Sequence, residues 1–391
     1  MKSLLLSNCR LFDHPQPIST DILIEAGHIK AIGKIPPQPE YQVVEVHDQI
    51  VAPGLIDIHI QGAGGCDILD NTDEALATIS RTLARFGVTG FLATTVIKPE
   101  INHEHLSRAA AAVGQNLGGA RLLGIHLEGP FINPIKRGGI APTAIAPFSP
   151  HLLAEILQHT GDKLKIMTIA PEIEGGQELI RLLTQKGIIA SLGHTNADYP
   201  ATQQAIAAGV RHVTHIFNAM PPLNHRAPGP IAAIFEAPEV TVQIISDGVH
   251  VHPAIVNLLA KNIGSKRCIC ISDGIQALGL PNGNYHYNGQ EYIAKDGVAC
   301  YPDGTLIGTA LAVSQIAQRF KQFTNCSLSE AINTIALNPA RLLGLERIGK
   351  IQPGYLADLA IITADFTTVM TIVQGEIVYQ RAELFTKAAS T

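Results

Sequence analysis

Four residues in this chain have the types and places to do chemistry together: Glu128, His194, His215 and Asp273. Each follows an apolar run and precedes a loop. Arg121-Leu-Leu-Gly-Ile-His-Leu-Glu reads as a short buried strand that stops at Gly129-Pro130. Gly there permits unusual backbone angles, and Pro removes an amide donor. Glu128 therefore stands at the C-terminal tip of the strand, where a carboxylate is costly unless a cation, a donor or a metal compensates it. His194 follows Ile188-Ile-Ala-Ser-Leu-Gly, and His215 follows Gly209-Val-Arg-His-Val-Thr. Two imidazoles and a carboxylate, with a fourth position open, are the pattern of a catalytic zinc site. A lone strand-end histidine is more often a hydrogen-bonded structural residue. Three such groups at successive positions of one barrel favour a shared ion.

Asp273 ends Cys268-Ile-Cys-Ile-Ser and precedes Gly274. Beside a metal site it has the chemistry of a general base and acid. Ser-Asp-Gly also serves as a turn or helix cap, and Asp247 sits in a second such tripeptide. His59 and Gln61 are two apart on a strand and point the same way. His59 is a further candidate ligand, whereas the neutral amide of Gln61 binds zinc less well than imidazole. The expectation is one tightly held divalent ion per chain, zinc before others. His126 shares the alternation of Glu128 and is expected behind the ligands; His212 is expected to be structural. Arg226 lies in Pro221-Pro-Leu-Asn-His-Arg-Ala-Pro-Gly. There it either binds a phosphate or carboxylate or remains a solvated charge.

The elements that must position these groups follow a rhythm that starts at Pro53. Apolar strand candidates end near His59, Thr95, Glu128, Pro171, His194, His215, Asp247 and Asp273. Amphipathic helical patterns over 73–86, 102–117, 150–160, 175–186, 197–208 and 253–263 separate most of them. Eight strands alternating with helices predict an α/β fold, most simply a closed (β/α)8 TIM-like barrel, with a doubly wound open sheet as the alternative. Polar residues at so many strand ends favour the barrel, because they form a ring at one mouth. Residues 1–52 and 346–391 are strand-rich and are expected to pair into one small β-sandwich built from both termini. The barrel is assigned to residues 53–345. Asn282 to Thr305 reads as a hairpin insertion over its mouth, and helices are expected over 311–323 and 329–337.

The composition narrows the function. The chain has 391 residues and 46% hydrophobic content, enough for a large core. The net charge of −5, with no clustered basic run, gives no nucleic-acid footprint. No run approaches the ~20 apolar residues of a membrane helix, and Met1 to Asn8 lack the features of a signal peptide. The six cysteines include no C-x-x-C pair. Cys268 and Cys270 are expected to pack as reduced apolar groups, and the chain reads as cytoplasmic.

Several stretches together resemble the N-acetylglucosamine-6-phosphate deacetylases of the amidohydrolase superfamily. They are Val51-Ala-Pro-Gly-Leu-Ile-Asp-Ile-His, His126-Leu-Glu-Gly-Pro-Phe, Leu192-Gly-His-Thr, His215-Ile-Phe-Asn-Ala-Met-Pro, Ser246-Asp-Gly-Val-His and Ile271-Ser-Asp-Gly. The resemblance runs to Gly354-Tyr-Leu-Ala-Asp-Leu, nearly the whole chain. It implies a (β/α)8 barrel with a small β-domain, usually a homodimer, and removal of the acetyl group from an amino-sugar phosphate. Carried over by motif, Glu128, His194 and His215 hold the metal and Asp273 is the acid and base. His250 contacts the substrate. Asn218 and Ala219 face the phosphate, with Arg226 assisting, in one arrangement across a dimer interface. Two positions depart from the pattern: Gln61 stands where two-metal members have a histidine, and Ile140 stands where a substrate-contacting histidine often falls. Alternatives are another amidohydrolase acting on a related N-acyl sugar phosphate, and a non-catalytic barrel that binds sugar phosphates.

Overall fold

The computed structural model describes residues 3–14, 19–47, 49–287 and 289–382. Residues 383–391, which the sequence assigns to the C-terminal β-part, lie outside the described residues, as do Met1 and Lys2. Eight parallel strands form the barrel: Leu55–Ile60, Val88–Thr95, Arg121–Glu128, Leu164–Ile169, Ile189–Leu192, His212–Val213, Thr241–Ile244 and Cys268–Cys270. Each pairs with the next in chain order. Strand one meets strand eight through the parallel bridge Ile60–Gly274 and through Asp273 N–H donating to the His59 carbonyl at 3.0 Å. The predicted strands all appear, and the open sheet is excluded by that closure. All eight residues of Val88–Thr95 are buried, as expected for a strand with helices outside and a packed barrel inside.

The helices begin and end where local chemistry dictates. Thr72 caps Asp73–Ala84 by accepting from Ala75 N–H, and Ser149 caps Pro150–Thr160 by accepting from Leu152 N–H. Asp198 caps Tyr199–Ala208, which closes at Gly209. One barrel helix, Gly229–Glu236, carries no amphipathic signal in sequence. It opens on Gly229-Pro230 and is buried over most of its length, so no polar stripe marks it. The insertion after strand eight is larger than a hairpin. Gly283–Tyr287, Gln290–Lys295, Val298–Cys300 and Leu306–Thr309 form a four-stranded antiparallel sheet with a small core of its own around Ile275, Tyr287, Tyr292 and Ile307.

The terminal strands share one sheet. Leu359–Ile362 pairs antiparallel with Ile50–Pro53, and Thr368–Val373 and Glu376–Gln380 continue from it. On the other side Leu4–Leu11 carries Ser19–Glu25 and His28–Gly33. The sheet encloses a separate core that includes Leu6, Ile22, Ile29, Leu359 and Ile372. It is fastened to the barrel by an ion pair between Arg121, at the start of strand three, and Asp358, whose side chain is 2% exposed.

Burial raises the pKa of Asp358 and the Arg121 guanidinium opposes that rise. Arg121→Met leaves the buried carboxylate without its counter-charge, with the Gln374 N–H as its remaining donor, and should cost about 3 kcal/mol of stability at neutral pH. A folded-state pKa above the unfolded value removes stability as pH rises through it. The loss should therefore shrink in acid, where Asp358 takes a proton. Urea denaturation at pH 7.5 and pH 5 checks this, and an equal loss at both would contradict it.

Candidate active site

The barrel mouth gathers the predicted groups. Glu128 Oε1 lies 3.1 Å from His194 Nε2 and 3.0 Å from His215 Nε2, and the two imidazole nitrogens are 3.1 Å apart. All three residues are buried. His59 Nε2 completes the cluster, 3.5 Å from Glu128 Oε1 and 3.2 Å from Asp273 Oδ1. Glu128, His194, His215 and Asp273 edge a cavity of about 410 Å³ whose wall includes Gln61, Asn218, Ala219, His250 and Tyr287.

Backbone placement is as specific as residue type. His194, His215 and Asp273 have φ of 46°, 26° and 48°, in the left-handed region that side chains other than glycine rarely adopt. Each lies just past the end of its strand, where the chain turns its side chain over the mouth. Surrounding bonds hold the strained turns. Asn133 N–H donates to the His194 carbonyl at 2.9 Å, and Thr309 N–H to the Asp273 carbonyl at 2.8 Å. At Gly308 a Cβ would stand 2.5 Å from that same carbonyl, so the close approach of the insertion to Asp273 requires glycine.

The donor set fits a divalent ion. His194 Nδ1 donates to the Lys136 carbonyl at 2.7 Å, which leaves the Nε2 lone pair facing Glu128 and His215. Two lone-pair nitrogens and a carboxylate oxygen at 3.0–3.1 Å suit ligands of one small cation, since tetrahedral zinc ligands lie about 3.3 Å apart. Electrostatics agree. Burial opposes ionisation of Glu128, but His59 and the bonds from His194 and His215 hold its carboxyl well below the usual range. Burial also opposes charge on His59, yet Glu128 and Asp273 pull its pKa well above that of a free imidazole. Burial lowers the pKa of His215, which favours the neutral, ligating form. Asp273 is likewise held ionised by His59 against the pull of burial. The site demands positive charge at its centre.

The sequence profile of the Amidohydrolase family matches residues 50–378. The chain belongs to the amidohydrolase family. A Bacillus subtilis relative named N-acetylglucosamine-6-phosphate deacetylase is 37% identical and covers 97% of this chain and 98% of its own length. An Escherichia coli relative named N-acetylgalactosamine-6-phosphate deacetylase is 32% identical, covering 90% of this chain and 93% of its own. A mutant of the Mycobacterium smegmatis N-acetyl-D-glucosamine-6-phosphate deacetylase, solved in complex with N-acetyl-D-glucosamine-6-phosphate, superposes with a TM-score of 0.88 at 30% identity. That match covers 97% of this chain and 99% of the other.

In this amidohydrolase, one predicted residue stands apart. Arg226 is exposed on its loop and is not part of the cavity wall. Asn218 and Ala219 reach the wall because Ala219 takes a left-handed φ of 54° and its carbonyl accepts from Thr195 N–H at 3.1 Å. His126 lies behind the Glu128 cluster, bonded to the Ile58 carbonyl and Thr168 Oγ1. His212 bonds Thr241 Oγ1 at 2.7 Å and has no part in the mouth. Ile140 does line the cavity and offers only apolar surface.

Sequence reasoning missed the residues that aim the others. Asp247, in the second Ser-Asp-Gly, bonds His250 Nδ1 at 2.6 Å and so orients that ring. Gln243 Oε1 accepts from His59 Nδ1 at 2.9 Å and from His215 N–H at 3.3 Å. Its inward register on strand seven was the available signal. Glu172 ties three loops together, accepting from Asn133 Nδ2, Thr195 Oγ1 and Asn196 N–H. Thr195 and Asn196 directly follow His194, so Glu172 fixes the turn that carries this candidate ligand. Glu172→Ala should weaken divalent-ion affinity about 10- to 100-fold, the usual cost of losing a group that orients a ligand. Competition against a chelator of known affinity measures it. Affinity equal to wild type would mean that the other bonds suffice.

Proposed function

We propose that this amidohydrolase hydrolyses the acetamide of N-acetylglucosamine 6-phosphate, giving glucosamine 6-phosphate and acetate, with one zinc ion per chain held by Glu128, His194 and His215. The observation that carries the reading is the convergence of those three ligand atoms within 3.0–3.1 Å, with Asp273 beside them in one cavity. The names of the near full-length relatives supply the substrate. The bound ion contributes Lewis acidity, bringing the pKa of a water toward ~7 and drawing electron density from the amide carbonyl.

The protein's own groups do the rest. Asp273, ionised, accepts the proton that the attacking water sheds as it adds to the carbonyl carbon. It returns that proton to the sugar nitrogen as the C–N bond breaks, since the amine departs poorly without it. His250, held through Nδ1 by Asp247, presents Nε2 to the cavity. There it accepts from a sugar hydroxyl when neutral and donates when protonated. Asn218 and Ala219 receive the phosphate at the cavity wall. The N–H of Ala219 has no partner among the described residues and is free to donate. Arg226, exposed beside Leu223, assists from the neighbouring subunit of a homodimer. All six cysteines are free, which supports a reducing, cytoplasmic setting. Among the described residues, no helix is long and apolar enough to cross a membrane.

Acetate release is the test, compared on N-acetylglucosamine 6-phosphate, N-acetylgalactosamine 6-phosphate and unphosphorylated N-acetylglucosamine. Turnover should be abolished by chelation and restored by Zn²⁺; full activity in metal-free protein sinks the reading. Faster release from the galactosamine sugar would move the assignment to that epimer. Asp273→Asn should keep its metal and lose ~10²–10⁴ in rate. Near-native turnover in that variant would reassign the base.

Arg226→Ala should lower kcat/KM about 10- to 100-fold on the phosphorylated sugar alone, because charge-assisted contacts are worth roughly 1.5–3 kcal/mol. Equal losses on both substrates would remove Arg226 from phosphate recognition.

A further inference from the structure

Beside the Glu128–His194–His215 cluster lies the start of a second cation position. His59 Nε2 has no hydrogen-bond partner among the described residues. It faces Glu128 Oε1 at 3.5 Å and Asp273 Oδ1 at 3.2 Å. Glu128 and Asp273 line the cavity, and His59 is fully buried against them. A cation there would need further ligands. The side chain two residues after His59 on the same strand edge is Gln61, which lines the cavity.

Gln61 can ligate a metal only through its amide oxygen, because the nitrogen lone pair is delocalised into the carbonyl. That oxygen is already engaged. Tyr287 Oη donates to Gln61 Oε1 at 2.6 Å, a short bond between two buried side chains. It turns the oxygen toward the insertion. Among the described residues the amide nitrogen has no hydrogen-bond partner, and Gln61 lines the cavity. A cation approaching His59 from that side meets the positive end of the amide dipole. We propose that Tyr287 locks Gln61 out of a second cation position and so makes this chain a one-metal protein. The inference rests on the reading of Glu128, His194 and His215 as the ligands of the first ion.

Tyr287 is well placed to act as a lock because it cannot easily leave. It is 8% exposed and packs in the insertion's core with Ile275, Tyr292 and Ile307. Its strand is in register with the next through Tyr287–Gln290 and Tyr285–Tyr292. The last strand of the insertion is pinned to the barrel by the bridge Gly274–Thr309. The same insertion therefore supports Asp273 from one end and restrains Gln61 from the other. Rotating the Gln61 amide to present its oxygen would break the Tyr287 bond and leave a buried phenol without an acceptor.

The experiment is a metal titration of the purified full chain stripped of metal, with Mn²⁺ followed by electron paramagnetic resonance and total metal measured in parallel. Wild type should take up a single ion and show no coupled pair. Tyr287→Phe keeps the ring and removes the lock; at the same free Mn²⁺ it should take up a second ion and give the spectrum of a spin-coupled pair. Adding Gln61→Leu to that variant should return it to a single ion. Gln61→Glu tests the idea with Tyr287 in place, since a carboxylate can accept from Tyr287 with one oxygen and ligate with the other. It too should hold two. A coupled pair in wild type overturns the lock, as does a single ion in both Tyr287→Phe and Gln61→Glu. Wild type that binds no ion at all overturns the metal reading itself, and the lock with it.

Discussion

A carboxylate placed in a dry barrel mouth is the constraint on which this structure depends. Glu128 is 3% exposed, and its Oε1 is within 3.5 Å of three imidazole nitrogens drawn from strands one, five and six. An ionised group there is unstable without positive charge nearby. Distant segments of the chain must therefore bring their histidines to one point. The barrel makes this possible, because parallel closure puts the C-terminal ends of all eight strands around one opening. An open sheet would set strands one and six too far apart for His59 and His215 to approach the same oxygen.

The barrel delivers residues to the mouth but does not aim them. Aiming is the work of loops that accept unfavourable backbone angles. His194, His215 and Asp273 all occupy the left-handed region, a cost borne only because neighbouring bonds leave little alternative. Glu172 restrains the turn after His194, and Thr309 with Gly308 restrains the turn at Asp273. The four-stranded insertion is thus part of the site's frame as well as a cover. It contributes Gly304 to Gly308 to the cavity wall while Tyr287 governs Gln61.

What could be read from sequence follows from this division. Strand ends are marked by a local switch from apolar residues to a loop, in most cases through a polar residue, and these switches located the barrel and its candidate ligands. Asp273 and Asp247 looked alike because a Ser-Asp-Gly tripeptide records the turn and not what the carboxylate faces. In space Asp273 faces His59, whereas Asp247 orients His250. Gln243 and Tyr287 act across separations of 184 and 226 residues, through bonds that no periodicity encodes. Arg226 sits on a legible Pro-rich loop, but the direction of that loop is set by packing, and it turns the arginine to solvent. The helix Gly229–Glu236 escaped for a related reason: a helix buried on most sides has no polar stripe to give it a period.

Beneath the Glu128 cluster the barrel interior is also polar, where aliphatic layers are usual. His126 joins the Ile58 carbonyl to Thr168, Thr168 meets Thr214, and Thr214 meets Ser191. Burial keeps His126 well below the pKa of a free imidazole, and charge on the neighbouring His59 pushes the same way. His126 is therefore neutral at physiological pH. A charged imidazolium at that depth would oppose any cation drawn to Glu128. A neutral, hydrogen-bonded layer instead offers orientable dipoles without net charge. The layer thus leaves the pull of Glu128 on positive charge unopposed. An aliphatic substitute of equal volume would pack as well there and leave the base of the mouth without those dipoles.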